Sequence, residues 1–301
     1  MTILLLGKNG QVGWELQRAL APLGELIALD RHGRGELCGD LTNPRGLRAT
    51  IRALKPSVIV NAAAYTAVDR AEEEHELATR INADAPAALA EEARALDALL
   101  VHYSTDYVFD GSGDAPWLET DIPGPLNHYG ASKLAGERHI QNSGCRHLIF
   151  RTSWVYAANG KNFLATMARL MREHEALQVI DDQVGAPTGA ELIADVTAHA
   201  IRQLGHNESL GGLYHLVAGG ETSWHGYASF IAESLQAQDI GIQTTPERIK
   251  PIPTSAWPAP AARPLNSRLD TAKLERVFGL TLPHWQQGVA RALAERIASS
   301  L

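Results

Sequence analysis

The stretch Ile3-Leu4-Leu5-Leu6-Gly7-Lys8-Asn9-Gly10-Gln11-Val12-Gly13 decides the fold. A short apolar run is followed by glycines in the spacing G-x-x-G-x-x-G, which is typical of a buried strand that turns directly into a helix. Glycines permit the tight turn and let a phosphate approach backbone N–H groups at the helix N-terminus. The stretch therefore predicts a dinucleotide-binding turn whose contacts are Gly7, Gly10, Gln11, Val12 and Gly13.

The first half of the chain continues this pattern, because short apolar runs alternate with longer amphipathic stretches. We expect strands at residues 3–6, 26–29, 58–61, 99–103 and 148–152. Helices are expected at residues 12–21 and 85–96, and Asn43 followed by Pro44 resembles the start of another. Strands joined by right-handed helical crossovers predict the α/β class, with a doubly wound, Rossmann-like parallel sheet.

After residue 150 the alternation loosens, which indicates a change of organisation. We expect helices at 162–172 and 191–204, a strand at 214–217 and a helix capped by Ser223 that runs to about residue 236. The proline-rich stretch 246–264 predicts an irregular loop, and residues 271–278 and 283–299 predict closing helices. The division that follows is a Rossmann-like dinucleotide-binding domain at 1–220, whose segment 151–190 contributes to the substrate site, and a smaller, mostly helical substrate-binding region at 221–301.

Composition limits the class of protein. The net charge of −7 and the lack of a basic run argue against nucleic-acid partners. The apolar start is far shorter than the roughly 20 residues of a membrane span, and two cysteines, Cys38 and Cys145, suit a reducing compartment. We therefore expect a cytoplasmic protein without a membrane segment.

A second group of residues predicts the adenosine end of a dinucleotide site. Asp30 ends the second expected strand, where a carboxylate can accept hydrogen bonds from ribose hydroxyls and favour NADH. Arg31 can instead pair with a 2′-phosphate, so NADPH stays open. Asp40 is a weaker candidate for the adenine side, and small residues at 61–64 would let the backbone approach a flat cofactor.

The chemical group is predicted from Tyr129 and Lys133, which lie at i and i+4 on one face of an expected helix. A tyrosine can give a proton to the oxyanion that forms when hydride adds to a carbonyl, and a neighbouring cation should lower its pKa. Thr105, at the end of the fourth strand, can donate a second hydrogen bond to that oxygen. Ser104 is the alternative, but strand alternation points the two hydroxyls to opposite sides.

Four motifs carry a family resemblance: G-K-N-G-Q-V-G, S-T-D-Y-V-F-D-G, Y-G-A-S-K-L-A-G-E and R-T-S-W-V-Y-A. They resemble the extended short-chain dehydrogenases/reductases, and the similarity runs essentially end to end. It implies reduction, by NADPH or NADH, of the C4 keto group of a dTDP-linked sugar used for cell-surface polysaccharide. It also implies a homodimer.

The resemblance assigns residues position by position. Catalysis falls on Thr105, Tyr129 and Lys133. Cofactor contacts are expected at the glycine turn and at Asp30, Arg31, Asp40, Leu41, Ala63, Ala64, Tyr65, Thr66, Tyr103, Tyr129 and Lys133. Substrate contacts are expected at Thr105, Asp106 and Trp154, and we add Arg263 and Asn266 for the diphosphate. A Mg²⁺ ion at the dimer interface would map to Glu15, Glu191 and Glu295, although nothing in their spacing predicts a metal site.

Two other functions fit parts of this pattern. Sugar dehydratases and epimerases share the fold and the Tyr-Lys pair, but the dehydratases carry Thr-Asp-Glu where this chain has Thr105-Asp106-Tyr107. The missing glutamate favours simple reduction. A non-catalytic NAD(P)-binding regulatory subunit, of the kind known for a vertebrate methionine adenosyltransferase, is the alternative from another class, and the intact catalytic residues argue against it.

Overall fold

The structure is a computed structural model, and it describes residues 1–298. Six parallel strands form the central sheet, and their bounds are β1 Thr2–Leu6, β2 Glu25–Leu29, β3 Val58–Asn61, β4 Leu99–Thr105, β5 His147–Thr152 and β10 Gly212–His215. Their order across the sheet is β10-β5-β4-β3-β1-β2. The short strands outside it are β6 Val155–Tyr156, β7 Leu177–Ile180, β8 Val184–Gly185, β9 Thr188–Gly189, β11 Thr222–Ser223 and β12 Ile249–Ile252. The doubly wound α/β prediction is confirmed.

Helices connect the strands. They are α1 Gln11–Leu20, α2 Pro44–Leu54, α3 Val68–Ala71, α4 His75–Thr79, α5 Ala85–Leu96, α6 His128–Ser143, α7 Phe163–Glu173, α8 Ala190–Leu204, α9 Trp224–Ala237, α10 Ala272–Phe278 and α11 Trp285–Ala298. Side chains that accept a backbone N–H fix where several of them begin, and Asn43 and Ser223 are two of these caps. Residue 299, the expected end of the last helix, lies outside the described residues.

The order of the strands positions the site. The chain runs outward from β1 to β2 on one side and then through β3, β4 and β5 on the other, so the direction reverses between β1 and β3. Ligands of such sheets bind beyond the carboxyl ends of the strands at this reversal. The backbone is tightly packed there, because a Cβ on Gly7 would lie 2.7 Å from the nitrogen of Ala63.

Two regions differ from the sequence-based expectation. The proline-rich stretch contains β12, which pairs in parallel with β7. Pro251 is tolerated in this two-stranded ribbon because its missing N–H is not needed on an edge. Between β3 and α5 the structure also contains α3, α4 and a π-helical turn, Arg80–Asp84, which the short and weakly periodic sequence did not indicate.

Buried apolar residues form separate clusters in the sheet region and in the region that follows it. One lies on each face of the sheet, and another is built around Tyr227, Tyr156 and Trp285 beneath α7, α9 and α11. The division at residue 220 stays a prediction, since the Tyr227 cluster takes residues from both sides of it. Within residues 1–298, no helix has the length and apolar character needed to cross a membrane.

Candidate active site

The glycine turn has the geometry that its sequence predicts. Gly7 has φ +89°, and the N–H of Gly10 donates to its carbonyl oxygen at 3.0 Å. A Cβ on Gly13 would lie 2.0 Å from that same oxygen, so only glycine fits there. Helix α1 begins at Gln11, with no side chain capping its N-terminus. Its first backbone N–H groups are therefore available to an anion.

Asp30 lies beside this turn with partners that sequence reasoning missed. Asn9 Nδ2 donates to Asp30 Oδ2 at 2.9 Å, and Lys8 Nζ is 3.6 Å from the same oxygen. The backbone N–H of His32, followed by Lys8 and Asn9, lowers the pKa of Asp30 despite some desolvation. Arg31 follows on the surface. Lys8 is therefore a cation beside the Asp30 carboxylate that the Asp30-Arg31 pair in the sequence did not indicate.

The expected cofactor contacts at residues 40, 41 and 63–66 lie in the loops that follow β2 and β3. Asp40 accepts from the backbone and side chain of Thr42, and Leu41 is buried. Ala63 and Ala64 are half-buried, and Thr66 is exposed. Tyr65 is largely buried, and its hydroxyl donates to Glu74 at 2.6 Å. The backbone N–H of Tyr65 donates to Asn82 Oδ1 at 2.9 Å and its carbonyl oxygen accepts from Asn82 Nδ2 at 3.0 Å, so each polar group of Tyr65 already has a partner within the protein.

Thr105 and Tyr129 come together at the carboxyl end of β4. The Thr105 hydroxyl lies beside the phenol of Tyr129, and its influence favours the phenolate and lowers the pKa of Tyr129, against the larger effect of burial. Thr105 Oγ1 also donates to Asp106 Oδ1 at 3.0 Å. The alternative hydroxyl, Ser104, points to the other face, where it is buried without a hydrogen-bond partner in the described part of the chain. The geometry therefore favours Thr105 over Ser104 as the partner of Tyr129.

Lys133 is fully buried one helical turn beyond Tyr129. Its Nζ donates to the carbonyl oxygen of Tyr103 at 2.5 Å and lies 3.4 Å from His102 Nε2. Burial lowers the pKa of Lys133 to about 8, and Glu137 opposes this shift. Burial raises the pKa of Tyr129 to about 12. The expectation that Lys133 lowers the pKa of Tyr129 is not met here, because burial outweighs the other influences and the ammonium faces β4.

Asp106 is a buried carboxyl next to this pair. Burial raises its pKa to about 6, against opposing hydrogen bonds from Ser267 and Thr105. Oδ2 of Asp106 has no hydrogen-bond partner among the residues that the structure describes. Its charge in turn raises the pKa of Tyr129. Ser267, which belongs to the last quarter of the sequence, was not predicted, because no local pattern links it to β4.

A cavity opens beside these residues rather than over them. It has a volume of about 1260 Å³ and lies between α7, β7, β12 and the loop at 254–263. Its wall includes Tyr107, whose ring packs edge-on against that of Tyr129 with centroids 5.5 Å apart. Arg263 also lines it, and its Nη2 is 2.7 Å from Asp69 Oδ2. The cavity therefore adjoins the phenol through Tyr107 and has one guanidinium in its wall.

Two expected substrate contacts have other partners. The Trp154 ring stacks on Trp224 at 3.7 Å, and its backbone has φ +49°. Asn266 is 2% exposed, and its Nδ2 donates to the carbonyl oxygens of Ser112 and Ala115. Its amide therefore holds the loop after β4 and is not directed at a diphosphate in the cavity.

The three glutamates expected to bind Mg²⁺ lie near one another on α1, α8 and α11. Arg291 comes between two of them, with Nε 3.6 Å from Glu191 and 3.0 Å from Glu295. Glu15 pairs with Arg18 at 3.5 Å. Within residues 1–298, no group of three or more His, Cys, Asp or Glu side chains has the geometry of a metal site. The expected metal site is therefore not formed by one chain alone.

Comparison of the sequence with known proteins points to one family. The sequence profile described as "RmlD substrate binding domain" matches residues 1–297. A dTDP-4-dehydrorhamnose reductase of Salmonella typhimurium is 57% identical over 300 residues, which cover 100% of this chain and 99% of that protein. The Escherichia coli K12 reductase of the same name is 57% identical over 98% of each chain.

Solved structures that resemble this chain include a reductase of the same name, at lower sequence identity. A dTDP-4-dehydrorhamnose reductase of Bacillus anthracis in complex with NADP is 34% identical, with a TM-score of 0.85, over 98% of this chain and 99% of that one. A UDP-glucose 4-epimerase of Thermus thermophilus in complex with NAD is 21% identical, with a TM-score of 0.80, over 99% of this chain and 100% of that one. The epimerase supports the fold alone.

Proposed function

Because the chain belongs to the family described as RmlD substrate binding domain, we propose that it is an NAD(P)H-dependent dTDP-4-dehydrorhamnose reductase. It reduces the C4 keto group of dTDP-4-dehydro-L-rhamnose and gives dTDP-L-rhamnose. The observation that carries the proposal is the placing of the Thr105 hydroxyl beside the Tyr129 phenol at the end of β4, with Lys133 one helical turn away. Reductases 57% identical over full length support the substrate.

When bound, NADPH or NADH supplies the hydride. Tyr129 donates its phenolic proton to the oxygen of C4, where negative charge develops. Thr105 turns its one hydroxyl hydrogen, which Asp106 Oδ1 accepts in the structure, to that same oxygen and polarises the ketone. Because Thr105 lies beside the phenol, one ketone oxygen can accept hydrogen bonds from both hydroxyl groups. Backbone N–H groups of the glycine turn hold the pyrophosphate, and Asp30 accepts from the adenosine ribose.

We assign the nucleotide part of the substrate to the cavity of about 1260 Å³ between α7, β7 and β12. Arg263 offers its guanidinium to the diphosphate, while Asp69 neutralises it when the cavity is empty of anions. Trp154 contributes through its stack with Trp224, which supports the wall that faces the sugar. Asp106 orients the Thr105 hydroxyl.

Two rival functions fit this site less well than reduction does. In a dehydratase, the residue after Asp106 would be an acidic proton acceptor, but Tyr107 has its ring packed against Tyr129 and the pKa of its phenol is raised by burial. A regulatory subunit would not require a buried lysine and a threonine hydroxyl beside the tyrosine. Reduction uses all three of these side chains.

The testing experiment is the loss of NADPH absorbance at 340 nm with dTDP-4-dehydro-L-rhamnose, together with identification of the sugar product. Stoichiometric oxidation of NADPH and formation of dTDP-L-rhamnose are the expected results. Interconversion of sugars without net coenzyme oxidation would identify an epimerase. Coenzyme binding with no turnover would favour the regulatory subunit.

The proposal extends to a cytoplasmic homodimer. The reductant and the nucleotide sugar are both cytoplasmic metabolites.

Trp14 is 58% exposed beside Glu15 on α1, which packs against α8, and this surface suits a second copy. Because Glu191 and Glu295 pair with Arg291 in one chain, a bridging Mg²⁺ would need the partner copy. Light scattering with Mg²⁺ and with EDTA tests this: a dimer that persists in EDTA would remove the metal from assembly.

A further inference from the structure

A buried glutamine joins separate segments around the cavity. Gln183 is 4% exposed and lies in the cavity wall just before β8. Trp224 Nε1, at the start of α9, donates to Gln183 Oε1 at 3.1 Å, and Gln183 Nε2 donates to Thr254 Oγ1 at 3.0 Å. Thr254 Oγ1 in turn donates to Asp182 Oδ1 at 2.6 Å. This series of hydrogen bonds ties α9 to the loop that follows β12, and the proposed function so far does not use it.

The direction of these hydrogen bonds is fixed at both ends. An indole N–H can only donate, so Oε1 of Gln183 faces Trp224 and the amide N–H groups face Thr254. At the other end, the Asp182 carboxylate can only accept, and it takes the single hydroxyl hydrogen of Thr254. Thr254 must therefore accept from residue 183. The position requires an acceptor and a donor on one side-chain group, which the glutamine amide supplies.

Trp224 passes this constraint to Trp154. The two indoles are stacked, with ring centroids 3.7 Å apart and an interplanar angle of 13°. The Trp154 ring also packs closely on Gly185, where a Cβ would lie 3.0 Å from Cε2 of the indole. Trp154 has φ +49°, a backbone region that bulky residues rarely adopt, so its neighbours must hold it there. Gln183 therefore holds Trp224, and Trp224 holds the strained Trp154.

The position of Trp154 connects these contacts with the reacting groups. Trp154 follows the end of β5, where Thr152 pairs with Thr105 at the end of β4. Trp154 therefore lies at the same edge of the sheet as Thr105. At the other end of the series, Thr254 begins the loop that lines the cavity. Gln183 thus lies between the edge where the keto group would react and the loop assigned to the nucleotide.

We propose that Gln183 is a positioning residue that aligns the sugar of the bound nucleotide sugar with the Tyr129 phenol. It does so by joining Trp224, and through it Trp154, to the cavity loop at Thr254. The inference rests on the proposed reduction. A nucleotide sugar has rotatable bonds in its diphosphate, so a nucleotide anchored in the cavity does not by itself fix C4. The aromatic wall must be held at one distance from that anchor, because small displacements of a reacting group cost rate.

The first test is the steady-state kinetics of Gln183→Met, which keeps the length of the side chain and removes both hydrogen bonds. At saturating NADPH and sugar, kcat counted per NADPH-binding site should fall about 10- to 100-fold. The KM for NADPH and the inhibition constant of dTDP, which lacks the sugar, should change by less than about twofold. Gln238→Met is the matched control, because the exposed Gln238 amide donates to the Ser234 carbonyl at the end of α9. An unchanged kcat in Gln183→Met would overturn the inference, and so would a loss of dTDP affinity as large as the loss of kcat.

Gln183→Glu tests the direction of the hydrogen bonds as well as their presence. Above neutral pH the new carboxylate still accepts from Trp224, but it presents a second acceptor to Thr254, whose one hydrogen is given to Asp182. We expect kcat to fall while the circular dichroism of the stacked indoles stays near that of wild type. Adding Asp182→Asn supplies an amide N–H that donates to Thr254, frees the hydroxyl hydrogen for residue 183 and should restore much of kcat. A double variant that binds NADPH but stays as slow as Gln183→Glu would overturn the inference.

The wild-type reaction separates this inference from the proposed function. If wild-type protein reduces no sugar, the proposed function fails, together with the alignment that depends on it. If wild type reduces the sugar and the Gln183 variants match its kcat, only the role of Gln183 fails.

Discussion

Arg151 and Glu137 form a two-point ion pair inside the protein, with Nε 2.9 Å from Oε1 and Nη2 2.6 Å from Oε2. The two side chains are 3% and 1% exposed. Arg151 lies on β5 and Glu137 on α6, the helix that carries Tyr129 and Lys133. The pair therefore fixes the catalytic helix against the sheet by a bidentate contact that tolerates little displacement.

We expect Glu137→Gln to lower the free energy of unfolding by about 3–5 kcal/mol, because it leaves a buried guanidinium without a counter-charge. Urea unfolding followed by circular dichroism measures this. The double variant Glu137→Leu/Arg151→Met removes both charges and should recover much of the loss. If the single variant costs less than about 1 kcal/mol, the pair does not anchor α6.

Tyr129→Phe should lower kcat by about 10²- to 10⁴-fold, since the proton donor is lost while the ring stays in place. KM for the sugar should change little. NADPH oxidation at 340 nm measures both, and Lys133→Ala should also lower the rate. Tyr214→Phe, which removes a hydroxyl bonded to the Leu210 carbonyl on the far edge of the sheet, is the matched control. Equal turnover in Tyr129→Phe and wild type would exclude Tyr129 as the acid.

Asp106→Asn should change how stability depends on pH. Burial raises the pKa of Asp106 to about 6, so the folded state holds the proton more tightly than the unfolded state. The tighter proton binding stabilises the folded state at pH values below the pKa of Asp106 in the unfolded chain. This stabilisation is lost as the pH rises to about 6. Above that pH the ionised carboxylate costs on the order of 3 kcal/mol, which the asparagine avoids. The variant should therefore match wild type at pH 4 and exceed it in stability at pH 8.

The control for that measurement is Asp110→Asn. Hydrogen bonds from Ser112 lower the pKa of Asp110, so its carboxylate stabilises the fold above its unfolded pKa, and the effect disappears in acid. Asp110→Asn should therefore lose stability at neutral pH, opposite in sign to Asp106→Asn. If the free energies of unfolding of wild type and Asp106→Asn differ by the same amount at every pH, the raised pKa of Asp106 is contradicted.

The sequence was sufficient where the interactions are local. The glycine turn, the Asn43 cap and the i, i+4 spacing of Tyr129 and Lys133 all depend on neighbours within a few residues. These features place a helix end and a strand end, and alternating elements then predict the parallel sheet. The expected strand bounds differ from the observed ones mainly at their ends, where fraying and turns dominate.

Contacts between distant segments could not be predicted from local patterns. His102 faces Lys133 only because β4 packs under α6, and Ser267 reaches Asp106 from a loop far along the chain. Trp154 was expected at the active-site mouth, but its stack on Trp224 depends on where α9 docks. Asn266 was suggested for the diphosphate, yet its amide holds the loop after β4. Polarity predicts that a group needs a partner, and the tertiary fold decides which.

Coenzyme preference should depend on Lys8 as well as on Arg31. Lys8 Nζ lies 3.6 Å from Asp30 Oδ2, the carboxylate that we propose accepts from the adenosine ribose, so that a 2′-phosphate bound there would be near this ammonium. Lys8→Ala should lower kcat/KM for NADPH about tenfold more than for NADH, because a partly exposed cation contributes modestly to phosphate binding. Asp30→Asn should shift the ratio toward NADPH, since it removes the charge that repels the phosphate. Steady-state kinetics with both coenzymes give the ratio, and Arg276→Ala, exposed on α10, is the charge-matched control. If Lys8→Ala weakens both coenzymes equally, Lys8 serves the shared pyrophosphate, and selection between the two rests with Arg31.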